Sequence, residues 1–326
     1  MRSHHVLVTG ANGFIGTELC RRMLAEGWHV SGAIRSSGKK IELPQGVQTV
    51  ETGSIGPNTE WSAAIKGIDT VVHLAARVHV MDDKASDPLT DYRSVNVDGT
   101  KRLLQFVELE KVRRFIYISS VKVNGEGRPT AYTEEDPPDP QDPYGISKLE
   151  AEQILHAVAD KTGLQVVIFR PPLVYGPEVK ANFLQMLKVI DRGIPLPFGA
   201  IKNRRSFLFL GNLIDAIVTG IYHPAAVGKT FLISDGHDIS TSDLMRMIAS
   251  TLGKRPRLFS FPPLLIRLLA RLTGKSDMTG RLLDSLMVDI SKIKKELDWK
   301  PPFTMEEGMS ETIQWYLNKH RKNNPS

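Results

Sequence analysis

A tyrosine and a lysine lie four residues apart in the segment DPYGISKLEAE, residues 142–152. The segment predicts the start of a helix, because Asp142 can cap it and Pro143 suits its first turn. Residues four apart share one helical face, so Tyr144 and Lys148 would be neighbours. A nearby ammonium group lowers the pKa of a phenol, which is ordinarily about 10, and so permits general acid/base chemistry. Because such pairs are also common on solvated helices, a second motif must support this interpretation.

Three glycines at a spacing of three residues, Gly10, Gly13 and Gly16, occur in VLVTGANGFIG near the start of the chain. An apolar strand is predicted before them and a helix from about Phe14, which is the context of a dinucleotide-binding turn. The first glycine permits the tight turn, the second lets the backbone approach a pyrophosphate, and the third lets the helix pack on the strand. A purely structural turn is the alternative.

Short apolar runs alternate with helical patterns through the first half of the chain. Continuous apolar strands separated by helices predict a parallel sheet covered on both faces, a doubly wound α/β (Rossmann) fold that binds ligands at the carboxyl ends of its strands. The predicted strands are HVLVTG, HVSGAI, VQTVET, DTVVHLAA, RRFIYISS and LQVVIFRPP, and the predicted helices lie near 17–26, 60–66, 94–110 and 144–162.

After Arg170, prolines and glycines become frequent and the predicted elements become shorter. We expect a smaller, interleaved C-terminal substrate-binding region over 171–204 and 229–326. The dinucleotide-binding region would comprise 1–170 and about 205–228, because FLFLGNLIDAIVTGIYH is predicted to add a strand and a helix to the main sheet.

The composition excludes several classes of protein. The 326 residues are 41% apolar and 24% charged, with a formal net charge of +6 and no block of like charges that would suggest binding of nucleic acid. Cys20 is the single cysteine and the nine histidines are scattered, so we expect neither an internal disulfide nor a metal site. No apolar signal segment precedes the first strand, which predicts a cytoplasmic protein.

The longest apolar segment, FSFPPLLIRLLARLTG (259–274), is interrupted by two prolines and two arginines. It is too short and too charged to span a bilayer, so no integral membrane segment is expected. It predicts an amphipathic helix that is either buried or rests on a membrane surface.

The spacing TGxxGxxG, followed by Tyr144 and Lys148 at YxxxK spacing, resembles the extended branch of the short-chain dehydrogenase/reductase superfamily, the epimerase/dehydratase enzymes. The resemblance implies an NAD(P)-dependent enzyme with Tyr144 as acid/base and Lys148 also bound to the nicotinamide ribose. The family's third catalytic group is a hydroxyl in a Ser/Thr-x-x-Val-Tyr-Gly pattern. Anchoring that pattern on VNG of FIYISSVKVNG selects Ser120 rather than Ser119, with Asn124 at the usual tyrosine position. Capping of the strand end is the alternative role of either serine.

The resemblance also implies which residues surround the cofactor. HLAA (73–76) matches the loop beside it, Asn96 matches a structural asparagine, and His73 is expected to be packed rather than catalytic. The implied cofactor-binding residues are Gly10, Asn12, Gly13, Phe14, Ile15, Gly16, Arg35, Ser54, Ile55, Leu74, Ala75, Ala76, Asn96, Tyr144, Lys148 and Pro171.

The end of the second predicted strand bears on the choice between NADP(H) and NAD(H). An acidic residue there would bond the adenosine ribose, but the position is Ile34, and Arg35 follows it. A basic loop suits a 2′-phosphate, and its other polar residues are Ser36, Ser37, Lys39 and Lys40. We therefore favour NADP(H), with NAD(H) as the alternative. The alternative interpretation of the loop itself is a solvated basic segment with no role in binding.

RPPLVYGP (170–177) is similar to a loop of the family members that modify nucleotide sugars. By that resemblance Asn182 and Phe183 would meet the nucleotide pyrophosphate. Arg205 would clamp the phosphates, with Arg204 as a second candidate. The implied substrate-binding residues are Ser120, Asn182, Phe183 and Arg205.

Three reactions compete on this scaffold. A 4,6-dehydratase needs an Asp-Glu pair after the catalytic hydroxyl, where this chain has Val121 and Lys122. A 4-epimerase removes and returns a hydride at the sugar C4 and typically retains NAD, whereas a 4-ketoreductase uses exchangeable NADPH. Arg35 favours the ketoreductase, and Leu173 departs from the asparagine usual in epimerases.

The run HLAARVHVMDD (73–83), together with RPPLVYGP, is most similar to reductases of bacterial O-antigen (lipopolysaccharide) pathways. The resemblance implies a 4-ketoreductase of a UDP-4-keto-6-deoxy-N-acetylhexosamine that forms UDP-N-acetylquinovosamine or its C4 epimer. The alternative is a UDP-glucose or UDP-N-acetylglucosamine 4-epimerase. A reductase of phenolic or steroid ketones would not need Arg205, and a non-enzymatic dinucleotide sensor would not need the Tyr/Lys pair. The family resemblance further implies a homodimer.

Overall fold

The computed structural model describes residues 4–35, 43–78, 87–272 and 276–321. The strands are β1 (His5–Thr9), β2 (His29–Ile34), β3 (Gln48–Glu51), β4 (Thr70–His73), β5 (Arg114–Ile118), β6 (Gln165–Arg170), β7 (Leu173–Tyr175), β8 (Arg205–Phe209), β9 (Lys229–Leu232) and β10 (Asp238–Ile239). The helices are α1 (Phe14–Ala25), α2 (Ser62–Ile65), α3 (Pro88–Arg93), α4 (Gly99–Leu109), α5 (Pro143–Thr162), α6 (Ala181–Asp191), α7 (Leu210–Tyr222), α8 (Thr241–Thr251), α9 (Pro263–Leu272), α10 (Ser276–Leu283), α11 (Ser291–Leu297) and α12 (Met305–Arg321). A π-helical turn, Ser94–Asp98, joins α3 to α4.

Within the described residues, seven strands form one parallel sheet in the order β3-β2-β1-β4-β5-β6-β9. The six strands expected from the sequence are β1 to β6, so the doubly wound fold is confirmed. Consecutive residues of β1 face opposite layers: Val8 belongs to a core with Leu19 of α1, and Leu7 to a core with Leu103 of α4. The direction of winding reverses between β1 and β4, and such sheets bind ligands in the crevice at that point.

One expectation about the sheet is wrong. Strand β8 does not extend the main sheet but pairs with β7 and β10 in a separate three-stranded sheet. Its Phe207 and Phe209 pack into a core with Phe183 of α6 and Met309 of α12, which holds the strand in the smaller region. The seventh main-sheet strand is β9, which lies in the range 229–326 that we assigned to the substrate-binding region. Helix α7 does pack against the main sheet, and the other region boundaries stay a prediction.

The amphipathic helix expected in 259–274 is α9, and most of its described side chains are exposed. No helix in the described part of the chain is long and apolar enough to cross a membrane. Nor do these residues contain a group of three or more His, Cys, Asp and Glu side chains that could hold a metal ion.

Candidate active site

The glycine turn between β1 and α1 is closely packed. Gly10 has a φ of +68°, which glycine adopts without strain, and a Cβ there would lie 3.1 Å from the Ala75 backbone. A Cβ on Gly16 would lie 2.2 Å from the Gly10 carbonyl oxygen, so α1 can approach the turn only without a side chain there. Helix α1 begins after Gly13 with no side-chain cap among the described residues, which leaves backbone N–H groups for an anion. The turn therefore fits a dinucleotide phosphate.

A buried hydrogen-bond network ties this turn to the loop after β4. Thr9 Oγ1 accepts from the first two backbone N–H groups after β4, at 3.2 and 3.1 Å, and lies 2.7 Å from His73 Nδ1. His73 Nε2 lies 3.0 Å from Thr100 Oγ1, which donates its own proton to the Asn96 carbonyl at 2.7 Å. Because Thr100 uses its proton on Asn96, the imidazole donates from Nε2 and accepts at Nδ1. His73 is therefore packed, as expected, and burial lowers its pKa to about 3.

We expect acid to destabilise the protein partly through His73. Below its ordinary pKa of 6.5 the imidazole takes up a proton in the unfolded chain, whereas the buried ring stays neutral down to about pH 3. Stability is thus lost as the pH falls from 6.5 towards 3, by about 1.4 kcal/mol per pH unit for this group. His73→Phe removes this dependence and keeps a ring stacked on Tyr117. Urea unfolding measures the free energy of unfolding of both proteins. The excess of wild type over the variant should be about 2 kcal/mol smaller near pH 5 than near pH 7. An equal excess at both pH values contradicts the prediction.

Asn96 lies in the π-helical turn, a feature that is frequent at functional sites. Its Oδ1 accepts from the Arg77 N–H at 2.8 Å, and its Nδ2 donates to the Arg77 carbonyl at 3.0 Å and to Ser147 Oγ at 2.9 Å. Ser147 in turn donates to the Tyr144 carbonyl at 2.8 Å. Asn96 therefore links the loop after β4 to the first turns of α5, in keeping with the structural role expected for it.

Tyr144, which is half-buried, and Lys148, which is buried, both lie on α5. Asp142 caps this helix, accepting a first-turn N–H at 2.7 Å, and Pro143 follows it, as expected from the sequence. Lys148 Nζ donates to the Ile118 carbonyl at 2.7 Å. It also lies 5.9 Å from the centre of the Tyr144 ring, so the helix brings the pair together at the carboxyl end of β5.

The electrostatic relation that we expected between the two groups is wrong. Burial raises the pKa of the Tyr144 phenol, and the carboxylate of Asp142 raises it further. Burial also lowers the pKa of Lys148 to about 7. Lys148 does not offset this rise in the pKa of the phenol, and its Nζ is turned towards the Ile118 carbonyl. A phenol that stays protonated is suited to donate a proton.

The two serines after β5 have different surroundings. Ser119 is buried, and its Oγ has no hydrogen-bond partner among the described residues. Ser120 is half-buried, and its Oγ accepts from the Lys122 N–H at 3.3 Å at the start of a short 3-10 turn. Its capping role is thus real, but it leaves the hydroxyl proton available for a ligand. The surroundings favour Ser120 over Ser119 as the group that faces a substrate oxygen.

The other residues implied in cofactor binding lie in the glycine turn and at strand ends along one edge of the sheet. Parallel neighbouring strands place their carboxyl ends together, so these residues share that edge. They are Asn12, Phe14 and Ile15 in the turn and α1, the exposed Arg35 after β2, Ser54 and Ile55 after β3, Leu74, Ala75 and Ala76 after β4, and Pro171 after β6. The polar residues Ser36, Ser37, Lys39 and Lys40 lie outside the described residues.

Asn182 and Phe183, expected at the substrate pyrophosphate, lie in the first turn of α6. No side chain among the described residues caps this helix, so its first N–H groups are available to an anion. Asn182 is half-buried, whereas Phe183 is buried and stacks on Tyr175 with the ring centres 5.5 Å apart. Phe183 can therefore meet a ligand only through its backbone.

The two candidate arginines of the phosphate clamp differ in their surroundings. Arg205 is half-buried at the start of β8 and donates from Nη1 to the Asp284 carbonyl at 2.8 Å. Arg204 is exposed and pairs with Asp238 at 3.3 Å. A partly desolvated guanidinium binds a phosphate more strongly than an exposed one, so Arg205 is the better candidate.

A buried ion pair that sequence reasoning missed anchors α5 to the sheet. Arg170 of β6 donates from Nε and Nη2 to the two carboxylate oxygens of Glu152, at 3.0 and 2.5 Å. Its Nη1 donates to Asn124 Oδ1 at 3.0 Å. Asn124, which departs from the family's usual tyrosine, therefore helps to hold α5, the helix that carries Tyr144 and Lys148. The only signal in the sequence is the position of Glu152, one turn after Lys148.

Residues 6–234 match the model of the NAD dependent epimerase/dehydratase family. The chain belongs to this family. It is 44% identical over 321 residues to a UDP-glucose 4-epimerase of Vibrio cholerae, with 97% of each chain covered. It is also 29% identical, over 95% of each chain, to an N-acetyl-alpha-D-glucosaminyl-diphospho-ditrans,octacis-undecaprenol 4-epimerase of Escherichia coli O157:H7. The prediction of a nicotinamide-dependent enzyme of the extended short-chain type is confirmed.

A solved structure of this family shares the fold. The UDP-glucuronic acid 4-epimerase from Bacillus cereus, in complex with NAD, matches with a TM-score of 0.80 at 26% identity and covers 99% of both chains. The relative holds NAD, so the preference for NADP(H) expected from Arg35 gains no support from it.

Proposed function

We propose that the protein catalyses nicotinamide-dependent hydride transfer at C4 of a UDP-linked hexose. The observation that carries the proposal is the proximity of Tyr144 to the buried Lys148, with Ser120 at the end of the neighbouring strand and the glycine turn at the same sheet edge. The Vibrio cholerae and Bacillus cereus relatives, both named as 4-epimerases of UDP-sugars, support the substrate class.

The residues of the chain would orient the sugar and supply its proton. A nicotinamide dinucleotide, when bound at the glycine turn, provides the hydride chemistry. Tyr144 keeps its proton because burial raises its pKa, and it donates that proton to the C4 oxygen as negative charge develops there. Ser120 donates a hydrogen bond to the same oxygen, and Lys148 holds the nicotinamide ribose. The α6 N-terminus and Arg205 bind the diphosphate.

Two forms of this reaction fit the site. Epimerisation at C4 is supported by the relatives, which are named as 4-epimerases. It requires a deprotonated Tyr144 to take up the C4 hydroxyl proton as the hydride leaves and to return that proton when the hydride comes back. Reduction of a UDP-4-keto-6-deoxy-N-acetylhexosamine is supported by Arg35, which is exposed directly after Ile34, the position where an acidic residue would select NAD(H).

Two parallel incubations of the purified protein test the proposal. One contains NADPH and UDP-4-keto-6-deoxy-N-acetylglucosamine, and the other contains NAD with UDP-glucose or UDP-N-acetylglucosamine. Loss of NADPH in the first without an epimer in the second identifies the reductase. A C4 epimer in the second without net change of the cofactor identifies the epimerase. Absence of product in both overturns the proposal.

The choice of cofactor can be tested at Arg35. If its guanidinium binds a 2′-phosphate, Arg35→Ala should raise the dissociation constant for NADPH by at least about tenfold, the effect of losing one charge-assisted hydrogen bond. The constant for NADH, which lacks that phosphate, should change by less than about twofold. Fluorescence titration of both dinucleotides measures the two effects. Equal weakening of NADPH and NADH would show that Arg35 does not contact the 2′-phosphate.

A further inference from the structure

Helix α9 carries a row of exposed leucines. Leu264, Leu265, Leu268, Leu269 and Leu272 recur at spacings of one, three and four residues, which places them on one face. Leu264 is 80% exposed and Leu272 is 77% exposed, and the three between them are about half exposed. Contiguous exposed apolar side chains often mark a binding site on a protein surface.

The chain around this face is basic. Residues 254–272 contain five Lys and Arg and no Asp or Glu. Arg255 and Arg257 are exposed just before the helix, and Arg271 is exposed beside the leucine row. Arg267, one turn before Arg271, pairs with Asp284. The leucine face is therefore bordered by positive charge.

We propose that the leucine face of α9 binds the surface of an anionic lipid bilayer. A helix with leucines on one face and arginines beside it lies in the interface, with its apolar side chains among the acyl chains and its cations at the headgroups. Anionic headgroups attract each nearby Lys or Arg, so the negative charge of such a bilayer complements the positive charge of residues 254–272. The helix is ten residues long and would rest on the bilayer without crossing it.

A second copy of the chain is a poorer occupant of this face. A stable dimer interface buries about 800 Å² on each partner, whereas a helix of this length, about 15 Å, presents far less area. Two copies would also bring the arginines of 254–272 against each other. Adsorption to a bilayer has no such minimum area, because each inserted leucine and each paired cation adds to binding.

The position of α9 gives this surface a consequence for the active site. Asp284 receives the Arg267 ion pair on its carboxylate and the Arg205 hydrogen bond on its carbonyl. The leucine helix and the proposed phosphate clamp therefore share one residue. Binding of α9 to a bilayer would hold the diphosphate end of the substrate site close to the membrane surface.

Co-sedimentation of the full chain with vesicles tests the proposal. We expect binding to phosphatidylcholine vesicles that contain phosphatidylglycerol, weaker binding to phosphatidylcholine alone, and partial release by high salt. The double variant Leu264→Glu/Leu268→Glu should lower binding by at least about tenfold. Leu109→Glu is the matched control, since Leu109 is 75% exposed on α4, and it should bind as wild type does.

Three results would overturn the proposal. The first is that wild type binds neither kind of vesicle, and the second is that the double variant binds vesicles as well as wild type does. The third is that the substitutions change the molecular mass of the protein in solution while neither protein binds vesicles, which would identify a second copy as the occupant. Vesicle binding is measured without substrate, so its outcome is independent of the proposed reaction. The double variant is expected to retain the turnover of soluble UDP-sugars.

Discussion

Replacement of Tyr144 by phenylalanine is expected to lower kcat by about 10²–10⁴-fold, the usual contribution of a general acid/base. The phenylalanine ring keeps the half-buried position next to Tyr92, whose ring centre lies 6.1 Å away, so only the proton-donating hydroxyl is lost. Dinucleotide affinity should remain within about twofold, because the glycine turn and Lys148 are untouched. Steady-state assays with both substrate pairs and fluorescence titration with NADPH and NADH measure the two effects.

Tyr92→Phe is the matched control for this experiment. Its hydroxyl donates to the Val78 carbonyl at 3.2 Å, and the substitution removes a phenol from the same cluster of rings. Turnover of this variant should stay within about threefold of wild type. If Tyr144→Phe also kept its activity, the proposed proton donor would be wrong. Equal losses in both variants would attribute the effect to ring packing instead of proton transfer.

The doubly wound fold was readable from the sequence because its signals are local. Strands buried on both faces, such as VVIF in β6, are continuous apolar runs, and each helix between them has its own pattern. Helix α5 was equally readable, since Asp142 and Pro143 mark its start within a few residues of Tyr144. Family motifs then assigned roles that spacing alone left open.

The partners of β8 and β9 could not be predicted in the same way. Both are short apolar runs, and nothing local distinguishes a strand of the main sheet from one of the small sheet. The choice depends on contacts far away in sequence, since Phe207 and Phe209 of β8 pack with Met309 of α12, about a hundred residues later. Tertiary packing of this kind overrides the order of elements along the chain.

The electrostatics of the site also lay beyond the sequence. The lowered pKa of Lys148 results from its burial. Its Nζ lies over the Tyr117 ring and donates to the Ile118 carbonyl, contacts that span 30 residues and more. The partners of His73 lie on β1 and α4, and each is a single threonine without a motif. Helical spacing predicted that Tyr144 and Lys148 are close, but it did not predict their protonation.

Alanine substitutions at Gly16 and Gly13 are expected to separate the folding role of the glycine turn from its binding role. A Cβ at Gly16 would lie 2.2 Å from the Gly10 carbonyl oxygen and 2.8 Å from the Ala11 Cα, both backbone atoms that cannot rotate away. Gly16→Ala should therefore lower the free energy of unfolding by about 1–3 kcal/mol. Because it also distorts the turn, dinucleotide affinity should fall at least about tenfold.

Gly13→Ala should act on binding far more than on stability. Gly13 has a φ of −82°, which alanine adopts freely, and its Cβ would meet one atom, the Gly10 carbonyl oxygen, at 3.0 Å. A shift of a few tenths of an ångström accommodates it, so the loss of stability should stay below about 1 kcal/mol. The methyl group would nevertheless occupy the space through which the backbone approaches a pyrophosphate, and dinucleotide affinity should fall at least about tenfold. Urea unfolding without ligand and titration with NADPH and NADH measure both quantities. A Gly13→Ala protein that binds both dinucleotides as wild type does would place the phosphates elsewhere than on this turn.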